Sequence, residues 1–128
     1  MPKVVVFCDK APKPVGPYSH AATAGGWVYL SGQTPVDPLT GKLVSGTMEQ
    51  MTERVLENLK AALVKAGGTL NDVVKVTVYI TDMSNFAKVN AVYGKYFDRT
   101  PPARACVQVA ALPGGAQIEM DMVAYVGG

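Results

Sequence analysis

The sequence predicts an α+β domain in which two helices cover one face of a β-sheet. Three observations support this prediction: the elements follow the order strands, helix, strand, helix and two strands; both helical segments carry one apolar stripe; and the strand segments alternate apolar with polar residues. An amphipathic helix buries its apolar stripe, and a sheet offers a surface for it to cover. No third helix is available to shield the other face of this sheet, so self-association is expected.

Composition and length limit the possible functions. The 128 residues are expected to form one domain (1–128), and 48% hydrophobic with 17% charged residues is a globular composition. A net charge of +2 is too small to indicate nucleic-acid binding. No segment has the length of a membrane span or the pattern of a signal peptide. Cys8 and Cys106 lie far apart without companion histidines, which favours reduced thiols in a cytoplasm over a disulfide or a zinc site.

The N-terminal half predicts two strands and one helix. Residues 4–7 read as a short strand, the prolines of APKPVGPYS exclude regular structure, and GGWVYLSGQ reads as the second strand. Thr47 and Gln50 have the spacing of a capping box, and Gly67 marks the helix end. The apolar stripe of this helix comprises Met48, Met51, Val55, Leu59, Ala62, Leu63 and Ala66.

The C-terminal half predicts a strand, a helix and two further strands. In VVKVTVYIT, the residues expected on the buried face are Val74, Val76, Val78 and Ile80. A helix is expected from about Ser84, with an inner stripe of Phe86, Val89, Tyr93 and Phe97 that also includes Asn90. The segment RTPPAR ends this helix, and the last strands are expected at about 104–111 and 117–126.

The last two strands contain one cation and one carboxylate among apolar residues. Alternation predicts one face with Arg104, Cys106, Gln108 and Ala110, and an opposite face, expected under the helices, with Ala105, Val107, Val109 and Ala111. In the last strand, Glu119 is expected on the face opposite to the one that carries Ile118 and Met120. If both polar faces line one surface, Arg104 is suited to bind a small carboxylate and Glu119 to transfer a proton. A structural Arg–Glu pair at a subunit interface explains these two residues equally well.

Four motifs resemble the Rid family of reactive intermediate (enamine/imine) deaminases, and its RidA subgroup in particular. They are APKPVGPYSHA (Ala11–Ala21), LSGQTPVDPLTGKLV (Leu30–Val44), VNAVYGKYF (Val89–Phe97) and PPARACVQVAALPGGAQIEM (Pro101–Met120). They follow in family order and spacing and cover essentially the whole chain. The resemblance implies a chorismate-mutase-like α+β fold, with a mixed sheet of about six strands, two helices on one face, and a homotrimer with active sites between neighbouring subunits.

The resemblance also implies the site residues and the reaction. Arg104 would hold the substrate carboxylate and Glu119 would handle the protons of the attacking water and the leaving ammonia. The other residues expected in the pocket are Tyr18, Ser31, Gly32, Cys106 and Asn90, with Asn90 as a support rather than a direct contact. Tyr18 could also be an interface anchor and Ser31–Gly32 a strand end. His20 stands where the family more often has glutamine, and a lone loop histidine is expected to be a neutral surface or interface group.

The expected reaction is hydrolysis of short 2-imino or 2-enamino acids, namely 2-iminopropanoate and 2-iminobutanoate, to 2-oxo acids and ammonia. Such substrates arise from pyridoxal-phosphate-dependent dehydratases. No cofactor or metal is expected, because the imine carbon is already electrophilic. A covalent mechanism at Cys106 is disfavoured because no base is placed to activate the thiol. The alternative function is a non-catalytic trimer that senses 2-oxo acids, acts as a chaperone or regulates translation.

Overall fold

The computed structural model describes residues 2–127 as a six-stranded sheet with two α-helices packed on one face. The strands are β1 (Val4–Val6), β2 (Ala21–Ala24), β3 (Trp27–Gln33), β4 (Val73–Ile80), β5 (Ala103–Gln108) and β6 (Ile118–Tyr125), and the helices are α1 (Met48–Lys65) and α2 (Phe86–Tyr96). The strand order is β1-β2-β3-β6-β4-β5, with β4 and β5 parallel and all other pairs antiparallel. The predicted α+β fold with a mixed sheet is therefore confirmed.

The strand β2 was not evident from the sequence pattern. Its residues AATA are small and carry little alternation of polarity. A two-residue turn explains why they form a strand: Gly25 and Gly26 have φ of 56° and 86°, and Ala24 pairs with Trp27. Two central residues with positive φ give the hairpin turn whose twist matches that of the strands. The turn therefore brings β2 against β3.

The helix α1 begins and ends as the sequence predicts. The Thr47 Oγ1 accepts a hydrogen bond from the Gln50 N–H at 3.1 Å, and the Gln50 side chain accepts one from the Thr47 N–H at 2.9 Å. This reciprocal pair satisfies two backbone donors at the helix start. The helix then buries Val55, Leu59 and Leu63 against the sheet, which confirms the predicted stripe at these positions.

The start of β4 departs from strict alternation. Val73 is 5% exposed and Val74 is 42% exposed, so the expectation that Val74 shares the buried face with Val76 is wrong. The pairing with β6 shifts register between Val73 and Lys75. Such a bulge moves every residue before it to the other face of the sheet. From Val76 onward the predicted alternation is confirmed.

The strand β5 presents the opposite face from the one expected. Val76 and Val78, which are fully buried under the helices, pair with Arg104 and Cys106. Paired residues of neighbouring strands project to the same face, so Arg104 and Cys106 lie on the helix side, while Val107 is 42% exposed on the other side. The prediction that Ala105 and Val107 lie under the helices is wrong. The strand also ends at Gln108 rather than at residue 111.

The face of the sheet that carries no helix, here called the open face, keeps large exposed side chains. Trp27 and Tyr29 project there from β3, and Tyr125 from β6, with the Trp27 and Tyr125 rings 4.8 Å apart. Trp27, Tyr29 and Tyr125 are 41%, 56% and 43% exposed, and the expected self-association stays a prediction. Among the described helices, none is long and apolar enough to cross a membrane.

Candidate functional site

The seven predicted site residues fall into two groups on opposite faces of the sheet. The open-face group lies on β3, on β6 and on the segment before β2, and consists of Tyr18, Ser31, Gly32 and Glu119. The helix-face group lies on α2 and β5 and consists of Asn90, Arg104 and Cys106. Each group therefore forms one half of the predicted site.

The open-face group lines a depression of about 380 Å³. Its walls are formed by Val15, Tyr18, Ser31, Gly32, Thr34, Pro113 and Glu119. The walls combine apolar side chains with one carboxylate and three hydroxyl groups, which is the usual make-up of a small-molecule site. The structure thus brings together four of the predicted residues, and adds Val15, Thr34 and Pro113, which carried no chemical signal in the sequence.

Glycine at position 32 allows the Glu119 carboxylate to approach β3 closely. A Cβ atom built on Gly32 would clash directly with the Glu119 carboxylate oxygen Oε2. The pairing of β3 with β6 is irregular between Leu30 and Gln33, which is where this approach occurs. The absence of a side chain at Gly32 therefore leaves the space that the Glu119 carboxylate occupies beside β3.

The segment before β2 is attached to β3 through Ser31. The Ser31 hydroxyl donates a hydrogen bond to the Ser19 carbonyl at 2.6 Å, and the Ser31 N–H donates to the His20 carbonyl at 3.0 Å. The Tyr18 hydroxyl in turn accepts a hydrogen bond from the Val15 N–H at 3.3 Å. These bonds place the Tyr18 ring beside the depression.

The electrostatics of the open face favour the protonated form of Glu119. Burial raises the pKa of the Glu119 carboxyl above its ordinary value, and the negative charge of Asp121, two residues along β6, raises it further. Asp121 itself accepts a hydrogen bond from the Tyr79 hydroxyl at 3.0 Å. A carboxyl group whose pKa is moved toward neutrality is suited to both giving and taking a proton.

In the helix-face group, α2 holds the Arg104 guanidinium. Its Nη1 donates a hydrogen bond to Asn90 Oδ1 at 2.8 Å. Its Cζ lies 4.7 Å from the centre of the Tyr93 ring and 5.4 Å from that of Phe86. Aromatic faces and an amide oxygen replace part of the water that a buried cation loses. The Asn90 side chain thus holds the Arg104 guanidinium in place.

The Arg104 cation has no anionic partner among the residues that the structure describes. Within residues 2–127, no carboxylate oxygen lies within the 4.0 Å that defines an ion pair with this guanidinium. The described residues therefore contain no Arg104–Glu119 pair. A half-buried cation that is positioned but unpaired is suited to bind the carboxylate of a ligand.

Phe86 and Tyr93 were predicted as core residues only. Burial raises the pKa of the Tyr93 hydroxyl to about 12, although the positive charge of Arg104 acts to lower it. This hydroxyl has no hydrogen-bond partner among the described residues. The signal that could have revealed their second role is their spacing, because Phe86, Asn90 and Tyr93 share one helix face.

Burial raises the pKa of the Cys106 thiol, and the positive charge of Arg104 opposes this shift. A raised thiol pKa argues against a thiolate nucleophile at Cys106.

Comparison with known proteins identifies the family. The family model described as Endoribonuclease L-PSP matches residues 8–126. This chain belongs to the Rid/L-PSP family. Among its relatives, a RutC family protein of Pyrococcus abyssi is 52% identical over 98% of both chains. A mouse protein named 2-iminobutanoate/2-iminopropanoate deaminase is 43% identical over 96% of this chain and 91% of that one. The crystal structure of RidA from an Antarctic Psychrobacter superposes with a TM-score of 0.92 at 46% identity, over 96% of this chain and 99% of that one.

The two halves of the site cannot meet within one Rid-family chain. Glu119 lies on β6 and Arg104 on β5, and β4 separates these two strands. Two strand spacings amount to about 10 Å, and the two side chains also project to opposite faces of the sheet. The condition that both polar faces line the same surface is therefore not met in a single protomer.

His20 is only 3% exposed, so the expectation of a surface or interface group is wrong for this Rid-family chain. Within residues 2–127, no three His, Cys, Asp or Glu side chains are grouped so that they could hold a metal ion.

Replacing Asp121 with Asn should lower the pKa of Glu119 toward that of an ordinary carboxyl. The substitution removes the negative charge that disfavours ionisation of Glu119, but it leaves the burial that is the larger cause of the raised pKa. The pKa should therefore fall without returning fully to its ordinary value. The measurement is a carboxyl carbon NMR titration of Glu119, with Asp98→Asn, a change at an exposed position, as the control. An unchanged Glu119 pKa in the Asp121 variant would show that burial alone sets it.

Proposed function

We propose that this Rid-family protein is a cofactor-free deaminase that hydrolyses 2-iminopropanoate and 2-iminobutanoate, or their enamine forms, to 2-oxo acids and ammonia. The observation that carries the proposal is the Arg104 guanidinium, which is held by Asn90 and two aromatic rings but has no carboxylate partner within residues 2–127. Its N–H donors other than the one that bonds Asn90 suit a 2-imino acid, whose carboxylate is adjacent to the reacting carbon. The mouse relative that carries the name of this activity supports the same substrate class.

The reaction needs one water and a group that moves protons. Water adds to the electrophilic imine carbon, and the nitrogen takes up a proton, which gives a carbinolamine. The carbon–nitrogen bond then breaks as the proton of the new hydroxyl is transferred to the leaving nitrogen, so that the products are a carbonyl group and ammonia. Glu119, with its raised pKa, is suited to accept the proton of the water and to return it to the leaving nitrogen. Arg104 fixes the substrate through its carboxylate.

Each active site in this proposal is built from two protomers. Arg104 and Glu119 lie on opposite faces of one sheet, so a small substrate can reach both only if they come from different copies of the chain. Packing of the open faces of three protomers would cover the exposed Trp27, Tyr29 and Tyr125 and bring a neighbour's β5 edge toward the Glu119 depression. The homotrimer expected from the resemblance is consistent with this arrangement.

Two other functions are alternatives that experiment can separate from deamination. A pure sensor of 2-oxo acids would use Arg104, but it has no evident need for a carboxyl with a raised pKa beside the ligand. The family model carries an endoribonuclease description, yet the net charge of +2 provides no strong basic surface for RNA. Deamination uses both halves of the site and is the function the geometry supports best.

The activity is tested by coupling a threonine or serine dehydratase to semicarbazide, which traps the imine before it hydrolyses. Wild-type protein should lower the amount of trapped imine. Arg104→Ala should not, because the substrate loses its carboxylate anchor, and a fall in kcat/KM of at least about 100-fold is expected. Arg99→Ala, which removes an arginine at an exposed position, should behave as wild type. If wild type leaves both imines unchanged, the sensor function is favoured; if Arg104→Ala retains full activity, the assigned role of Arg104 is wrong.

Replacing Gly32 with Ala should displace the Glu119 side chain and reduce kcat by about 10- to 100-fold. The added methyl group occupies the space of the carboxylate, whereas the backbone at this position is one that alanine can adopt. Gly94→Ala on α2 is the matched control, because a Cβ there meets no atom within 4 Å and alanine favours a helix. If Gly32→Ala and Gly94→Ala are equally active, the placement of the Glu119 side chain does not control the rate.

Co-expression of Arg104→Ala and Glu119→Gln chains tests whether the site is shared between protomers. Each variant alone should be inactive, but a mixed oligomer contains some sites with an intact arginine from one chain and an intact glutamate from another. A trimer that contains both chains has one intact site among its three, so oligomers purified through both tags should show about one third of wild-type activity. The measurement is the trapping assay on oligomers purified through two different tags. Mixed oligomers without any recovered activity would show that the site does not combine Arg104 and Glu119 from different chains.

A further inference from the structure

The segment between β1 and β2 contains no helix or strand, but part of it is buried. Pro12, Pro14 and Pro17 exclude regular hydrogen bonding there, yet the flanking Cys8 and Ala11 are buried. The segment also supplies Val15 and Tyr18, two walls of the Glu119 depression. A specific set of contacts must therefore hold this proline-rich segment in place.

The buried His20 ring makes two of these contacts. The Cys8 N–H donates a hydrogen bond to Nδ1 at 2.8 Å, and Nε2 lies 2.6 Å from the Pro12 carbonyl oxygen. A backbone N–H can only donate and a carbonyl can only accept, so the proton of the ring must be on Nε2 and the ring must be neutral. In the described chain the Cys8 N–H and the Pro12 carbonyl have no backbone partner, and the imidazole is what satisfies both.

The backbone next to His20 makes the contacts to the depression. The His20 carbonyl accepts from the Ser31 N–H at 3.0 Å, and the Ser19 carbonyl accepts from the Ser31 hydroxyl at 2.6 Å. Tyr18 directly precedes these two residues. The ring of His20 is thus bound to the start of the proline-rich segment, and its main chain is bound to the strand that carries Ser31 and Gly32.

We propose that His20 is a positioning residue for the candidate active site: its neutral imidazole fixes the segment 8–17, and through it the Tyr18 wall, against Ser31 on β3. The ring does not line the depression, so its effect on a ligand acts through Tyr18 and Ser31. The kinetic part of this inference rests on the proposed deaminase function, whereas its structural part does not.

The first test compares three variants in the imine-trapping assay. His20→Leu removes both hydrogen bonds of the ring, and a fall in kcat/KM on the order of tenfold, mainly through a higher KM, is expected as the Tyr18 wall loses its position. His20→Gln keeps one acceptor and one donor on a planar end group, and should restore kcat/KM to within about threefold of wild type. Thr52→Val is the matched control, because it removes one buried hydrogen bond, from Thr52 Oγ1 to the Met48 carbonyl at 2.7 Å, inside α1.

Hydrogen–deuterium exchange provides a readout that does not depend on catalysis. In His20→Leu, exchange should increase in peptides covering residues 8–19 and at the Ser31 amide, while α1 stays protected. In Thr52→Val, the loop peptides should exchange as in wild type. If wild-type protein shows no deaminase activity, the proposed function fails, but the exchange pattern still decides whether His20 holds the segment.

A nitrogen NMR measurement on unmodified protein covers the case in which His20→Leu does not fold. The His20 ring should show a protonated Nε2 and an unprotonated Nδ1 near neutral pH. An Nδ1–H tautomer or a doubly protonated ring there would overturn the proposal. So would wild-type kinetics and exchange in His20→Leu, loss of activity in His20→Gln equal to that in His20→Leu, or an equal kinetic defect in Thr52→Val.

Discussion

Alternation of side chains between the two faces of the sheet is the constraint on which the candidate site depends. On β6, Ile118, Met120 and Met122 are buried beneath the helices, so Glu119 between them must project to the open face. A shift of one residue would bury the carboxylate under α1 and expose the methionines, at a cost of several kcal/mol. Core packing therefore fixes the face on which Glu119 lies. The close approach of β3 at Gly32 then fixes the surroundings of its carboxylate.

The same alternation places Arg104 under α2, where its charge is accommodated by a different means. The Asn90 amide and the Phe86 and Tyr93 rings replace part of its hydration. The Tyr93 ring also packs on Phe97 at 4.8 Å, so the group that holds Arg104 is continuous with the core. The apolar stripe of α2 therefore both covers the sheet and orients the Arg104 guanidinium. A bound carboxylate would supply the opposite charge that residues 2–127 do not.

The walls of the depression depend on the core through hydrogen bonds from buried side chains to loop backbone. Asn58, fully buried on α1, donates to the Val36 carbonyl at 2.9 Å and to the Thr34 carbonyl at 3.4 Å, which fixes the segment after β3. Arg54 on the same helix donates to Asn58 Oδ1 at 3.1 Å and orients the amide. On the side of the depression formed by Val15 and Tyr18, the buried His20 ring likewise bonds loop backbone, at Cys8 and Pro12. Loops without secondary structure can thus be held firmly when buried polar side chains satisfy their backbone groups.

The sequence by itself determined the α+β class, the limits of α1 and the face on which Glu119 lies, because capping residues and apolar periodicity act over a few neighbouring positions. The motif resemblance indicated the seven site residues and the family. Only the tertiary structure decided that β2 exists, that Val74 is exposed, and that Arg104 faces α2. These features depend on the Gly25–Gly26 turn, on a bulge in β4, and on the pairing of β5 with β4. Strand register comes from contacts between distant segments, so no local pattern could show that Arg104 and Glu119 lie on opposite faces.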